Sequence, residues 1–186
     1  MVTTFTDRAV ADCSIKSRSQ DTEENDMIKY FFKDKKEGFY IEMGALDGQK
    51  FSNTLVLHQC FNWNGLLLEA SSVNFKKLKA NSEVLRPNAR LHYGAVCAPP
   101  HNHIQFLGSG GAVGGDIDEM SVTFKKQWHP ETSKEVHTRV PCTPMREILQ
   151  DVKHVDFWSL DVEGSELKVL ETTDFINVHF DLIMIE

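Results

Sequence analysis

Long apolar runs are missing from this chain. The most apolar stretches, residues 65–68 and 182–185, are only strand-sized, so no membrane span is expected. Positive charge is also short: 20 Lys and Arg stand against 27 Asp and Glu, a formal net charge of −7. The basic clusters Lys33-Asp34-Lys35-Lys36 and Lys76-Lys77 are brief, which argues against a nucleic-acid partner, since backbone binding needs a positive surface. Cysteine is sparse. Cys13, Cys60, Cys97 and Cys142 form no Cys-x-x-Cys and have no histidine at ligand spacing, so no zinc site is read and the four are expected as reduced, partly buried thiols. The first thirty residues lack a basic-then-apolar leader. A cytoplasmic location is expected, unless the chain is cut from a longer secretory-pathway protein.

What is present suits one α/β domain. The 186 residues can bury one substantial core and are too few for two ordinary domains. Residues 1–20 read as a polar N-terminal arm, and residues 21–186 as the domain. A helix is predicted over residues 24–33, then a first strand over 39–43. A helix carrying Leu55, Val56 and Cys60 follows, then a strand over 66–69. The next helix starts at Ser71 or Ser72, with Val73, Phe75 and Leu78 facing inward, and a third strand spans about 90–96. Residues 98–139 are rich in breakers and are expected to form a variable lid or insertion with one short strand near 104–107. Thr143 is predicted to cap a helix opened by Pro144, before strands over 155–161 and 182–186 and a helix over 165–170. Strands alternating with helices predict a mainly parallel sheet covered on both faces.

Each strand that precedes a helix ends in an acid: Glu42, Glu69, Asp161 and Glu186. In open α/β sheets, ligands bind at these carboxyl ends. The densest signal is Glu42-Met43-Gly44-Ala45-Leu46-Asp47-Gly48, where Gly44 and Gly48 are expected to clear Cβ atoms from a nucleoside-bearing ligand. Glu69, 25 residues beyond Gly44, is placed to accept hydrogen bonds from ribose hydroxyls. Asp47 is read either as a cap or as facing the ligand. Ser52-Asn53-Thr54 caps a helix whose amides can also meet a carboxylate. Asp161 and Glu163, two apart on a strand end, are candidates for positioning or deprotonating an acceptor hydroxyl. Asp161 and Glu186 offer only two ligands to a hard cation, so no metal is assigned. His92, His129 and His137 are possible bases, of which His129 beside Trp128 in the lid is the best. The glycines of residues 110–115 lack a following Lys-Ser/Thr and read as a flexible loop rather than a phosphate cradle.

In combination these segments resemble the FkbM family of S-adenosylmethionine-dependent methyltransferases. The resemblance is carried by Gly38-Phe39-Tyr40-Ile41-Glu42-Met43-Gly44-Ala45-Leu46-Asp47-Gly48, by Ser52-Asn53-Thr54, and by Trp63-Asn64-Gly65-Leu66-Leu67-Leu68-Glu69-Ala70. It continues through Val140-Pro141-Cys142-Thr143-Pro144-Met145-Arg146-Glu147-Ile148-Leu149 and Val155-Asp156-Phe157-Trp158-Ser159-Leu160-Asp161-Val162-Glu163-Gly164-Ser165-Glu166. Ile183-Met184-Ile185-Glu186 fits the fifth strand, and Ser19-Gln20 loosely fits an entry motif. The resemblance implies a class I methyltransferase fold, a Rossmann-like three-layer sandwich with a mainly parallel sheet, here with its C-terminal sixth and seventh strands missing. It implies S-adenosyl-L-methionine as cofactor, held by Glu42, Gly44, Asp47, Gly48, Asn53, Thr54 and Glu69. It further implies O-methylation of a hydroxyl on a sugar or other small-molecule acceptor, with Asp161 and Glu163 as catalytic residues. The rival readings are a nicotinamide-dependent oxidoreductase, whose Gly-x-Gly-x-x-Gly is absent because Glu42 takes the first glycine position, and an inactive binding module that kept the fold.

Overall fold

Five apolar segments that lie far apart in the chain become neighbours in a single parallel sheet. The computed structural model describes residues 18–20, 23–33, 35–108, 110–131 and 137–186. Cys13 and most of the expected polar arm over residues 1–20 lie outside the described residues. The sheet strands are β1 (Phe39–Met43), β2 (Asn64–Glu69), β3 (Arg90–Tyr93), β7 (His154–Leu160) and β8 (His179–Ile185), in the order β3-β2-β1-β7-β8. All four pairings are parallel. β1 therefore sits at the centre, and strand order reverses direction beside it.

Side-chain alternation along the strands builds two cores. Tyr40, Leu67 and Phe157 point to one face, where they pack on Met27 and Ile28, on Val56 and Leu57, and on Leu78. These belong to α1 (Glu23–Met27) with its π-helical continuation Ile28–Phe32, to α2 (Leu55–Phe61) and to α3 (Ser72–Leu85). Ile41, Met43, Leu66, Leu68, Trp158 and Leu160 point the other way, onto Met145, Ile148 and Val169. Those come from α5 (Met145–Ile148) and α6 (Glu166–Glu171). With period-two alternation β1, β2, β7 and β8 each supply both cores, which is why the central strands read as continuous apolar runs.

Several local expectations need correction. Val73 is 43% exposed, and Asn74 takes the buried position beside it. Pro144, not Thr143, is the N-cap of α5, and no side chain of its own caps the helix. Its first amides instead donate across the fold, Met145 N to Thr172 Oγ1 (3.1 Å) and Arg146 N to Thr172 O (3.0 Å).

The breaker-rich stretch is more ordered than expected. It holds β4 (His103–Leu107), β5 (Gly115–Asp116), α4 (Val122–Trp128) and β6 (His137–Pro141), with the strands forming a second, antiparallel sheet β5-β4-β6. β5 has two residues, and of β6 only Val140 is buried, so neither leaves an apolar pattern to read. This small sheet is bound to the large one where β3 and β6 end. Ala95 N donates to Pro141 O (2.9 Å) and Thr143 N donates to Ala95 O (3.1 Å). Beside this bridge Cys97 and Cys142 form a disulfide with Cα atoms 5.5 Å apart. Cys60 is disulfide-bonded as well, and no described cysteine is free. The expectation of reduced thiols is therefore wrong: spacing in sequence says nothing about partners 45 residues apart that the fold brings together. Among the described residues, no helix is long and apolar enough to cross a membrane.

Candidate functional site

A cavity of about 520 Å³ opens at the carboxyl ends of β1, β2, β7 and β8, roofed by the small sheet and α4. Its wall includes Glu42, Gly44, Asn53, Glu69, Asp161, Glu163 and Glu186, so the acids at the strand ends do converge. The expected lid contributes Phe106, Asp116, Phe124 and Trp128, and Gln20 also reaches the wall. This is the crevice outside the strand ends where open α/β sheets bind ligands.

The close approach of β1 to β7 sets the floor. Asp161 N donates to Met43 O (3.2 Å), and a Cβ on Gly44 would lie 2.0 Å from Asp161 O. A Cβ on Gly48 would lie 2.5 Å from Leu78 Cδ1, and both glycines have positive φ, +84° and +75°. The chain's own packing thus already requires glycine at both positions.

Glu42 organises the loop behind this floor. Its carboxylate, 3% exposed, accepts from Ser52 Oγ (3.0 Å), Asn53 N (2.8 Å) and Thr54 Oγ1 (2.7 Å). Arg86, equally buried, lies 3.2 Å from Glu42 Oε2 and donates to Thr54 Oγ1 (2.7 Å), Gly48 O (2.9 Å) and Ser52 Oγ. The network presents Asn53 to the cavity, where its Nδ2 donates to Ser159 Oγ (3.1 Å) and Glu186 Oε1 (3.2 Å). Arg86 was not anticipated: at the end of an amphipathic helix an arginine ordinarily faces solvent.

Glu69 is held in place by two backbone donors, Leu46 N (2.8 Å) and Ser71 N (2.7 Å), one to each carboxylate oxygen. Burial pushes its carboxyl up to about 7 despite those donors. Beside it Asn74, 2% exposed, lines the same wall. Asn74 Nδ2 donates to Gly111 O (3.0 Å), which fixes the orientation of the amide and leaves Oδ1 buried with no partner among the described residues. A buried carboxylate and a buried unsatisfied acceptor on one wall suit a ligand that carries a diol and an N–H donor. Residues 111–115 form part of that wall, tied down through Asn74.

The opposite side of the cavity is acidic. Burial, with the charges of Glu186 and Glu166, pushes Asp161 up to about 6. Burial, with Asp161 and Glu166 nearby, pushes Glu163 up to about 7. Glu163 sits at φ +58° in a turn whose amides, Val162 N and Gly164 N, donate to Glu166 Oε1 at 3.0 and 3.2 Å. Asp116, from β5, is buried and its carboxyl is also raised by burial; no motif marked it in the sequence. Six acidic residues and one basic residue, Lys50, line the cavity, which favours a neutral or cationic ligand. Among the described residues no three of these acids bring ligand atoms within 4.8 Å of one another.

Other predicted residues lie apart from the wall. Asp47, Gly48 and Thr54 do not line the cavity. Asp47 Oδ1 accepts from Gln49 N (2.9 Å) and Lys50 N (2.7 Å), closing a turn. His92 and His137 do not line it either. His129 is buried behind the roof, its Nε2 2.6 Å from Val113 O.

Comparison with curated proteins and with solved structures finds no match. A family model described as the methyltransferase FkbM domain matches residues 42–186, from the acid near the end of β1 to the acid after β8. With the matched span covering most of the chain and every acid of the cavity, the chain belongs to the FkbM methyltransferase domain family.

Proposed function

We propose that the cavity binds S-adenosyl-L-methionine and that this methyltransferase, on a class I fold, methylates an oxygen of a sugar or other small-molecule acceptor. The observation that carries the reading is the pairing of Glu69 with the unsatisfied Oδ1 of Asn74 on one cavity wall. Glu69 accepts from the ribose diol, and Asn74 Oδ1 from an N–H of the base. Asn53, whose side chain lines the cavity, holds the carboxylate end of the cofactor, while Glu42 acts mainly by fixing that loop. When bound, S-adenosyl-L-methionine supplies a methyl group on a sulfonium, whose positive charge suits the excess of acid around it.

Asp161 and Glu163 face the acceptor. Asp161 accepts the proton that the acceptor hydroxyl loses as its oxygen gains the methyl, and Glu163 orients the acceptor. Trp128 and Phe124 in the roof supply aromatic faces against which a sugar ring can lie. The Cys97–Cys142 disulfide supports an oxidising compartment, in keeping with a glycan-type acceptor.

Calorimetric titration of the purified chain with S-adenosylhomocysteine and with NAD tests the reading. S-adenosylhomocysteine is expected to bind and NAD not to. Glu69→Ala is expected to weaken that binding by about 1–3 kcal/mol, the cost of losing a charged acceptor. Binding of NAD alone overturns the cofactor, and unchanged affinity in a folded Glu69→Ala variant removes Glu69 from the site.

A further inference from the structure

We propose that His154, His179 and Asp181 form a binding site for a zinc-class divalent metal ion, at the end of the sheet opposite the cavity. The site follows from strand register. His154 opens β7 and pairs with His179, which opens the parallel neighbour β8. Asp181 lies two residues beyond His179, so alternation returns it to the same face. The two imidazole rings stand side by side, with centroids 5.3 Å apart.

Both rings aim at one oxygen. His154 Nε2 lies 2.9 Å and His179 Nε2 3.1 Å from Asp181 Oδ1. One ligand atom from each of the three residues falls within a common 4.8 Å, and this is the only such group of three or more His, Cys, Asp or Glu among the described residues. A tetrahedral ion with bonds of 2.0–2.1 Å keeps its ligand atoms about 3.3 Å apart, so small side-chain rotations suffice to admit it. Two imidazoles and one carboxylate favour zinc and its neighbours over magnesium or calcium, which prefer oxygen alone.

The carboxylate is already oriented for this role. Lys35 Nζ lies 3.2 Å from Asp181 Oδ2 and also pairs with Asp156, so it holds the oxygen that faces away from the histidines. A partner on the second oxygen is how ligating carboxylates are usually fixed. All three ligands are solvent-accessible, which gives an ion an entry path and leaves its fourth position to water. The length of β7 separates the group from Asp161 by roughly 20 Å, so the ion would take no part in chemistry at the cavity.

Titration of the metal-free chain with Zn²⁺, and with Co²⁺ for its visible absorption, tests the site. The expected result is one equivalent bound with a tetrahedral Co²⁺ spectrum. His179→Ala and Asp181→Asn are each expected to lower affinity at least about tenfold. Circular dichroism and S-adenosylhomocysteine titration of both variants are expected to match the parent, because the altered groups are accessible and distant from the cavity. Absence of saturable Zn²⁺ binding to the parent chain overturns the proposal, as does parental affinity in a folded His154→Ala/His179→Ala variant.

Discussion

A carboxyl group buried at a strand end can remain charged only if donors surround it, and the acids of this cavity differ in how many they have. Glu69 has two backbone donors and still titrates near 7, so a ligand that adds hydroxyl donors shifts it toward the charged form. Asp161 is pushed up to about 6 by burial, with the charges of Glu186 and Glu166 adding to it. A base works in its deprotonated form, so its contribution is lost as pH falls below its pKa and is complete above it. With cofactor and acceptor saturating, turnover is therefore expected to rise about tenfold between pH 5 and pH 7, with a midpoint near 6. Asp161→Asn is expected to lower turnover and flatten that limb while leaving S-adenosylhomocysteine affinity nearly intact. A parental pH–rate profile already flat over this range would remove Asp161 as the base.

At the scale of elements, the turn from β1 into α2 depends on a residue from the far end of α3. Arg86 joins Glu42, Thr54, Ser52 and the Gly48 carbonyl in one buried network. Its removal leaves Glu42 buried and uncompensated, so Arg86→Ala is expected to cost about 3–5 kcal/mol in urea unfolding. A Glu42→Gln/Arg86→Met variant is expected to regain part of that loss, since it no longer buries an unpaired charge; equal stability of Arg86→Ala and parent would refute the network's importance. Elements with strong periodicity were legible in the sequence: β1 appeared over the residues expected, β2 began two residues earlier, and α2 carries Leu55, Val56 and Cys60 as expected. Arg86, Asn74 and Asp116 were not legible. A polar side chain looks the same in sequence whether solvent or a buried partner satisfies it, and β5 is too short to show a pattern.

The whole molecule joins a parallel sheet to a small antiparallel one, and the cavity lies between them. The Cys97–Cys142 disulfide ties the two sheets where the connection leaves β3 and where β6 returns. Closing a loop across a sequence separation of 45 is worth about 2–4 kcal/mol. Cys97→Ser/Cys142→Ser is expected to lose stability of that order in chemical unfolding under non-reducing conditions. S-adenosylhomocysteine affinity is expected to fall with it, because the roof loses its covalent tether. Stability unchanged in that variant would show that the bridge and the core around Ile104, Phe106 and Val140 suffice.

By itself the sequence determined the alternation of strands and helices, the parallel sheet, and the acids and glycines at its carboxyl edge. Those follow from local periodicity and backbone preference, which act over a few residues. Tertiary structure alone decided that the cysteines pair, that Gly44 and Gly48 serve the chain's own packing, and that Arg86 underlies the first loop. It also decided that a carboxylate from the roof faces those at the strand ends. Each of these depends on groups 30 or more residues apart meeting in space, which is set by how the elements pack and not by local sequence pattern.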